Sequence, residues 1–151
     1  MATLHLQTGF EQTFEQTIAQ FRAMTAESQL GILWLIYDRL GHAIASATPV
    51  AKFSQVVHSL IRQLHQLSRH ERVQALQDIV VGSPTRFSEA YTDLDINMKL
   101  AFWYCLAHDP GGTLRYPLPL LEADPILQAL DSMDLNQQIY FLRRAIDCFG
   151  L

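Results

Sequence analysis

Six histidines, two cysteines and 15 acidic residues give this chain material for metal or acid–base chemistry, but their spacing does not assemble it. His58 and His65 lie seven apart and share a helical face, yet neither helical periodicity nor a nearby Cys or Glu supplies the third ligand that zinc needs. They read as surface histidines. Asp93 and Asp95 could act as an acid–base pair, but they stand before a helix start, where carboxylates interact favourably with the positive end of the helix dipole. Arg143 and Arg144, near the end of the final helix, complement its negative end in the same way. Cys105 and Cys148 fall on candidate helices, form no CxxC pair and suit a reducing compartment, so no disulfide is expected. There is no GxSxG elbow, P-loop, GxGxxG or HExxH. No catalytic or metal-ligating set is expected, and the chain does not read as an enzyme.

The aromatic residues say more. Trp34 and Tyr37 are spaced i, i+3 with Leu30 one turn earlier, so the three line one helical face. Phe102, Trp103 and Tyr104 follow in succession and cover a wide arc of a second helix. Flat, polarisable rings on facing helices suit a long conjugated polyene, which carries no charge and is held by apolar burial and stacking. Aromatics at helical spacing are also what an ordinary core uses. Residue types alone therefore favour ordinary core over a polyene site.

The elements that must position these rings are helices. Helix caps recur along the chain, whereas alternating β-branched runs and Asn-Gly or Asp-Gly hairpin turns are missing. Phe10, Phe14, Ile18 and Phe21 form one stripe of a first helix from Phe10 to Met24. A second follows Thr25, apolar on almost every side from Leu30 to Leu40, and is expected to stop at Gly41 in a left-handed C-terminal position. A third spans Val50 to Leu67. Ser68 and Glu71 make a capping box for a fourth, ended by Gly82, and Ser83-Pro84 would cap a fifth. The sixth runs from Asp95 to His108. A loop with Tyr116-Pro117-Leu118-Pro119 leads to a short helix opened by Asp124-Pro125, and Asp134 with Gln137 caps the last, ending at Gly150. The expectation is an all-α, single-domain bundle of about eight helices over residues 1–151, with no repeat and no linker between domains.

Composition agrees with a folded chain: 49% of residues are apolar and 17% charged, and at 151 residues roughly 70% of the unfolded surface can be buried. The net charge of -4 offers no basic stripe for nucleic acid. The longest strongly apolar run, Ile32 to Tyr37, is far short of the ~20 residues that span a bilayer, and the N-terminal MATLHLQTGF does not read as a signal segment. A cytoplasmic protein is expected.

Three blocks, QLGILWLIYDRLG at Gln29 to Gly41, INMKLAFWYCL at Ile96 to Leu106 and QQIYFLRRAIDCFG at Gln137 to Gly150, resemble in order and spacing the N-terminal domain of the cyanobacterial orange carotenoid protein family. The resemblance covers about Phe21 to Leu151. It implies two interleaved helical bundles threaded by a ketocarotenoid such as canthaxanthin, echinenone or 3'-hydroxyechinenone. It implies that Trp34, Tyr37, Trp103 and Tyr104 hold a terminal ring, and that Leu30, Leu76, Leu106, Leu118 and Pro119 line the polyene tunnel. It implies photoprotection, by quenching singlet oxygen or phycobilisome excitation, as in helical carotenoid proteins without the second, regulatory domain. It implies partner contacts at two positions: Arg143 matches an arginine that bridges the domains of the two-domain protein and, once freed, helps dock on the phycobilisome, and Asn97 matches an interdomain contact, the phycobilisome on thylakoids and a pigment-donating homologue of the C-terminal domain being the implied partners. Ala107, Pro110 and Glu122 depart from the family pattern at one tunnel end, and an ionised Glu122 must point to solvent or the path must differ there. A pigment-free module of the same fold, docking on the phycobilisome or another protein, is the alternative.

Overall fold

The structure, a computed structural model, describes residues 2–47, 54–109 and 120–149. Among them are eight helices and no strand: α1 (Ala2–Ala23), α2 (Ala26–Ala47), α3 (Gln55–His65), α4 (Arg69–Val81), α5 (Arg86–Thr92), α6 (Ile96–Ala107), α7 (Leu120–Asp131) and α8 (Leu135–Asp147). No described helix is long and apolar enough to cross a membrane.

Local caps explain most boundaries. Ser68 Oγ accepts the Glu71 N–H at 3.2 Å while Glu71 Oε1 accepts the Ser68 N–H at 3.0 Å, the capping box read from sequence. Gly82 closes α4 in the left-handed region at φ 77°. Asp95 caps α6, and Asp134 with Gln137 forms a second capping box on α8.

Several boundaries differ from expectation. The first helix begins at Ala2 rather than Phe10. The third begins at Gln55, capped by Ser54, rather than at Val50, which lies outside the described residues. Thr85, not Ser83, caps α5, its hydroxyl accepting the Ser88 N–H at 3.2 Å. Pro125 lies inside α7 rather than opening it, and withholds one helical donor there. The last helix gives way at Cys148, before Gly150, which is also outside the described residues.

The most informative difference is at Gly41, where α2 does not stop but runs on to Ala47. A Cβ at this position would stand 2.8 Å from His108 Cε1 and 2.9 Å from His108 Nε2. Glycine is used here for close approach of the end of α6, not for a left-handed turn.

Packing places α2 and α6 at the centre. They lie along each other; α2 also meets α4 and α7, and α6 also meets α3 and α8. Helix α1 lies on α7 and α8, while α4 packs on α3 and α5. Two groups therefore share the central pair, one completed by α1, α7 and α8 and the other by α3, α4 and α5. Phe14, Ile18 and Phe21 turn the α1 stripe into the core, where each fully buried large side chain contributes about 1.5–3 kcal/mol of transfer free energy.

Candidate functional site

Apolar periodicity on α2 and α6 forces their wide faces inward, and that brings most of the expected binding residues into one core. Leu30 and Tyr37 on α2, Leu76 on α4, and Trp103 and Leu106 on α6 are all 0% exposed. Trp34 and Tyr104 are half-buried and pack at its edge. Leu118, Pro119 and Pro110 lie outside the described residues, as does the side chain of Glu122.

The polar tips of the buried rings are bonded within the protein. Tyr37 donates its hydroxyl to the Leu100 carbonyl of α6 at 2.9 Å. Trp103 Nε1 donates to the Tyr91 hydroxyl at 3.0 Å, and that hydroxyl donates on to the Ile146 carbonyl of α8 at 2.7 Å. The chain N–H to O–H to O=C runs one way, so each bond polarises the next. Burial pushes both phenols above their ordinary 10.0, well above for Tyr37; at Tyr91 burial outweighs the opposing hydrogen bond from Trp103.

Trp103 and Tyr104 leave α6 in different directions, as adjacent helical residues must. Trp103 meets Tyr91, Phe102 and Phe149 edge-on, with centroids 5.8, 5.0 and 5.7 Å away. Tyr104 stacks on His108 at 4.4 Å, beside Gly41. His108 Nδ1 lies 3.0 Å from the Tyr104 carbonyl, which can only accept, so Nδ1 carries the proton. Lys99, buried near the start of α6, is neutralised by Asp147 at 3.0 Å and lies over the Tyr91 ring at 5.3 Å.

Sequence reasoning did not single out Tyr91 or His108 for the site, and it read Gly41 as a helix stop. Phe87 and Tyr91, four apart on an otherwise polar helix, were the available signal for burial, and a buried phenol needs a partner.

Other candidates take plain roles. Asp95 caps α6 through Met98 N at 2.8 Å, and Asp93 sits at the C-terminal end of α5 instead. His65 pairs with Asp109 at 2.6 Å. No group of three potential metal ligands exists among the described residues. Neither cysteine forms a disulfide. Asn97 is exposed on α6, and Arg143 is half-buried with its Nε making no hydrogen bond.

This core forms an apolar and aromatic wall with satisfied polar tips and one neutralised cation.

Comparison with known proteins gives this wall a family. Residues 7–151 match the family described as orange carotenoid protein, N-terminal. An orange carotenoid-binding domain-containing protein of Nostoc sp. (strain PCC 7120 / SAG 25.82 / UTEX 2576) is 32% identical, covering 89% of this chain and 82% of its own. The orange carotenoid-binding protein of Limnospira maxima is 30% identical over 89% of this chain, which spans only 44% of that relative. The structure of the Anabaena (Nostoc) sp. PCC 7120 orange carotenoid protein binding canthaxanthin superposes with a TM-score of 0.76 at 26% identity, covering 91% of this chain and 46% of that one. The red carotenoid protein of the same organism, binding a mixture of carotenoids, shares the fold at a TM-score of 0.72 and 22% identity, over 92% of this chain and 98% of its own. The all-helical wall around Trp103 thus has relatives along nearly its whole sequence, and the chain belongs to the orange carotenoid protein N-terminal family.

Proposed function

We propose that this protein binds a ketocarotenoid of the canthaxanthin, echinenone or 3'-hydroxyechinenone type between α2 and α6 and serves in photoprotection. The observation that carries the reading is the buried, uncharged wall of Leu30, Tyr37, Leu76, Trp103 and Leu106, whose hydroxyl and indole N–H are already bonded inside the protein. A polyene laid against it meets apolar surface and ring faces and leaves no donor unpaired. Canthaxanthin in the similar Anabaena orange carotenoid protein supports the choice of pigment class. The pigment supplies the low-lying excited state that takes up energy from singlet oxygen or an antenna. The protein's share is to bury the polyene, orient its ring and exclude water.

The wall is closely packed, so entry requires α2 and α6 to part. Trp34 and Tyr104, at the half-buried edge, are where a terminal ring first makes contact. Docking on phycobilisomes beside the thylakoid, through Asn97 and Arg143, and delivery of pigment by a homologue of the family's C-terminal domain belong to the same reading. Exposure of Asn97 and the unbonded Nε of Arg143 support a partner there.

Expression in a canthaxanthin-producing host tests the proposal: the purified protein is expected to be coloured, with a red-shifted, vibronically blurred absorption. Trp34→Ala and Trp103→Phe are expected to lower the pigment-to-protein ratio more than the melting temperature. The close packing around Trp103 favours, as a second reading, a pigment-free interaction module. Folded protein that stays colourless in that host selects this second reading and overturns the first.

A further inference from the structure

Basic charge is unevenly spread over this acidic chain. From Arg62 to Arg72 stand three arginines and two histidines against one carboxylate, Glu71, in a protein of net charge -4. The fold gathers that span into a corner. Arg62 and His65 occupy the last turn of α3, and Arg69, His70 and Arg72 begin α4, with Gln66-Leu67-Ser68 between them. Arg62, His65, Arg69 and His70 are exposed. Glu71 is engaged by the capping box, and no described ion pair uses Arg62, Arg69 or Arg72. Arg72 Nε is buried and makes no hydrogen bond. His65 has an anionic neighbour, Asp109.

The two helices contribute unequally to this field. Cations at the C-terminal end of α3 complement its dipole, but Arg69 and His70 occupy the first two positions of α4, at its positive pole, where Glu71 is the single carboxylate of the first turn. Charge of one sign is concentrated where the local backbone opposes it, and an external anion relieves the conflict. We propose that the α3–α4 corner is a docking surface for a protein partner that presents a local acidic patch. Extended polyanions fit it less well. A long polyanion also runs over the rest of a chain whose net charge is -4, whereas carboxylates presented locally on a protein reach the arginines at contact distance. The corner lies on other helices than Asn97 and Arg143, and its charge does not depend on a pigment.

Fluorescence anisotropy with a short labelled peptide carrying one local run of glutamates tests this on the purified full chain. Binding is expected at about 50 mM NaCl and is expected to weaken steeply by about 300 mM. Arg62→Gln/Arg69→Gln is expected to weaken it about tenfold or more, while Arg39→Gln, on α2 and paired with Asp131, leaves it unchanged. Arg69→Glu is the second variant: it is expected to lose binding while its melting temperature rises by about 1–3 °C, because it corrects the charge at the α4 N-terminus. A purely structural arginine would give a fall in that temperature instead. Absence of peptide binding at low salt, equal loss in Arg39→Gln, or tighter binding to duplex DNA or to vesicles of phosphatidylcholine and phosphatidylserine in equal parts overturns the proposal.

Discussion

The Tyr91 hydroxyl accepts from Trp103 and donates to Ile146, whereas the Tyr37 hydroxyl only donates, to Leu100. This difference sets their worth. Tyr91→Phe leaves the indole N–H of Trp103 buried without a partner, at a cost of about 1–3 kcal/mol. Tyr37→Phe deprives only a carbonyl within α6, for about 0.5–1.5 kcal/mol. Urea unfolding is expected to rank Tyr91→Phe below Tyr37→Phe, and near-ultraviolet circular dichroism is expected to show the Trp103 band altered in Tyr91→Phe alone. Equal losses would mean that the relay does not hold the indole. The burial of Tyr37 and Trp103 was legible in the sequence, because helical spacing of apolar residues decides which side faces inward. Tyr91 was not legible as a support for Trp103, because its acceptor on Ile146 lies on a helix whose approach no local pattern specifies.

At the scale of helices, the two capping boxes were read correctly because their bonds are local, whereas Ser83 was taken for the α5 cap that Thr85 supplies two residues on. Ser68 with Glu71 and Asp134 with Gln137 close within one turn, and the sequence contains everything that makes them. Gly41 was misread because a glycine at the end of an apolar run has the same appearance whether it caps a helix or admits a neighbour. Here it admits His108. The distinction is measurable with a double-mutant cycle. Gly41→Ala gains up to about 1 kcal/mol of helix propensity but drives its methyl into the imidazole. In His108→Ala the same change meets no ring, so Gly41→Ala is expected to be more favourable in the His108→Ala background by about 0.5–1.5 kcal/mol in chemical denaturation. Additive effects would remove the close approach as the reason for the glycine.

The molecule as a whole responds to pH through its buried phenols. Tyr37 and Tyr91 ionise in the unfolded chain near 10.0 and only at higher pH when folded. Their contribution is complete below pH 10 and is lost as pH rises beyond it, each unit removing about 1.4 kcal/mol per tyrosine until the folded state ionises. Urea midpoints measured at rising pH are expected to fall above pH 10, and less steeply in Tyr91→Phe; a slope unchanged in that variant would contradict the assignment. The all-α class was legible from caps and periodicity, but which helices share a group was not, since that is fixed by long-range packing. The clearest case is the first helix. Phe14 and Phe21 meet Phe141 with centroids 6.0 and 6.2 Å away, Phe21 also meets Phe149 at 6.2 Å, and Arg144 grips Glu15 at 2.8 and 3.2 Å. The ribosome releases α1 long before α8 exists, so the apolar stripe of the nascent chain waits uncovered while the intervening helices are synthesised. Loop closure over that separation makes docking of α1 onto α8 a late and slow step of folding, and leaves a chain stalled before Phe141 with a sticky leading end.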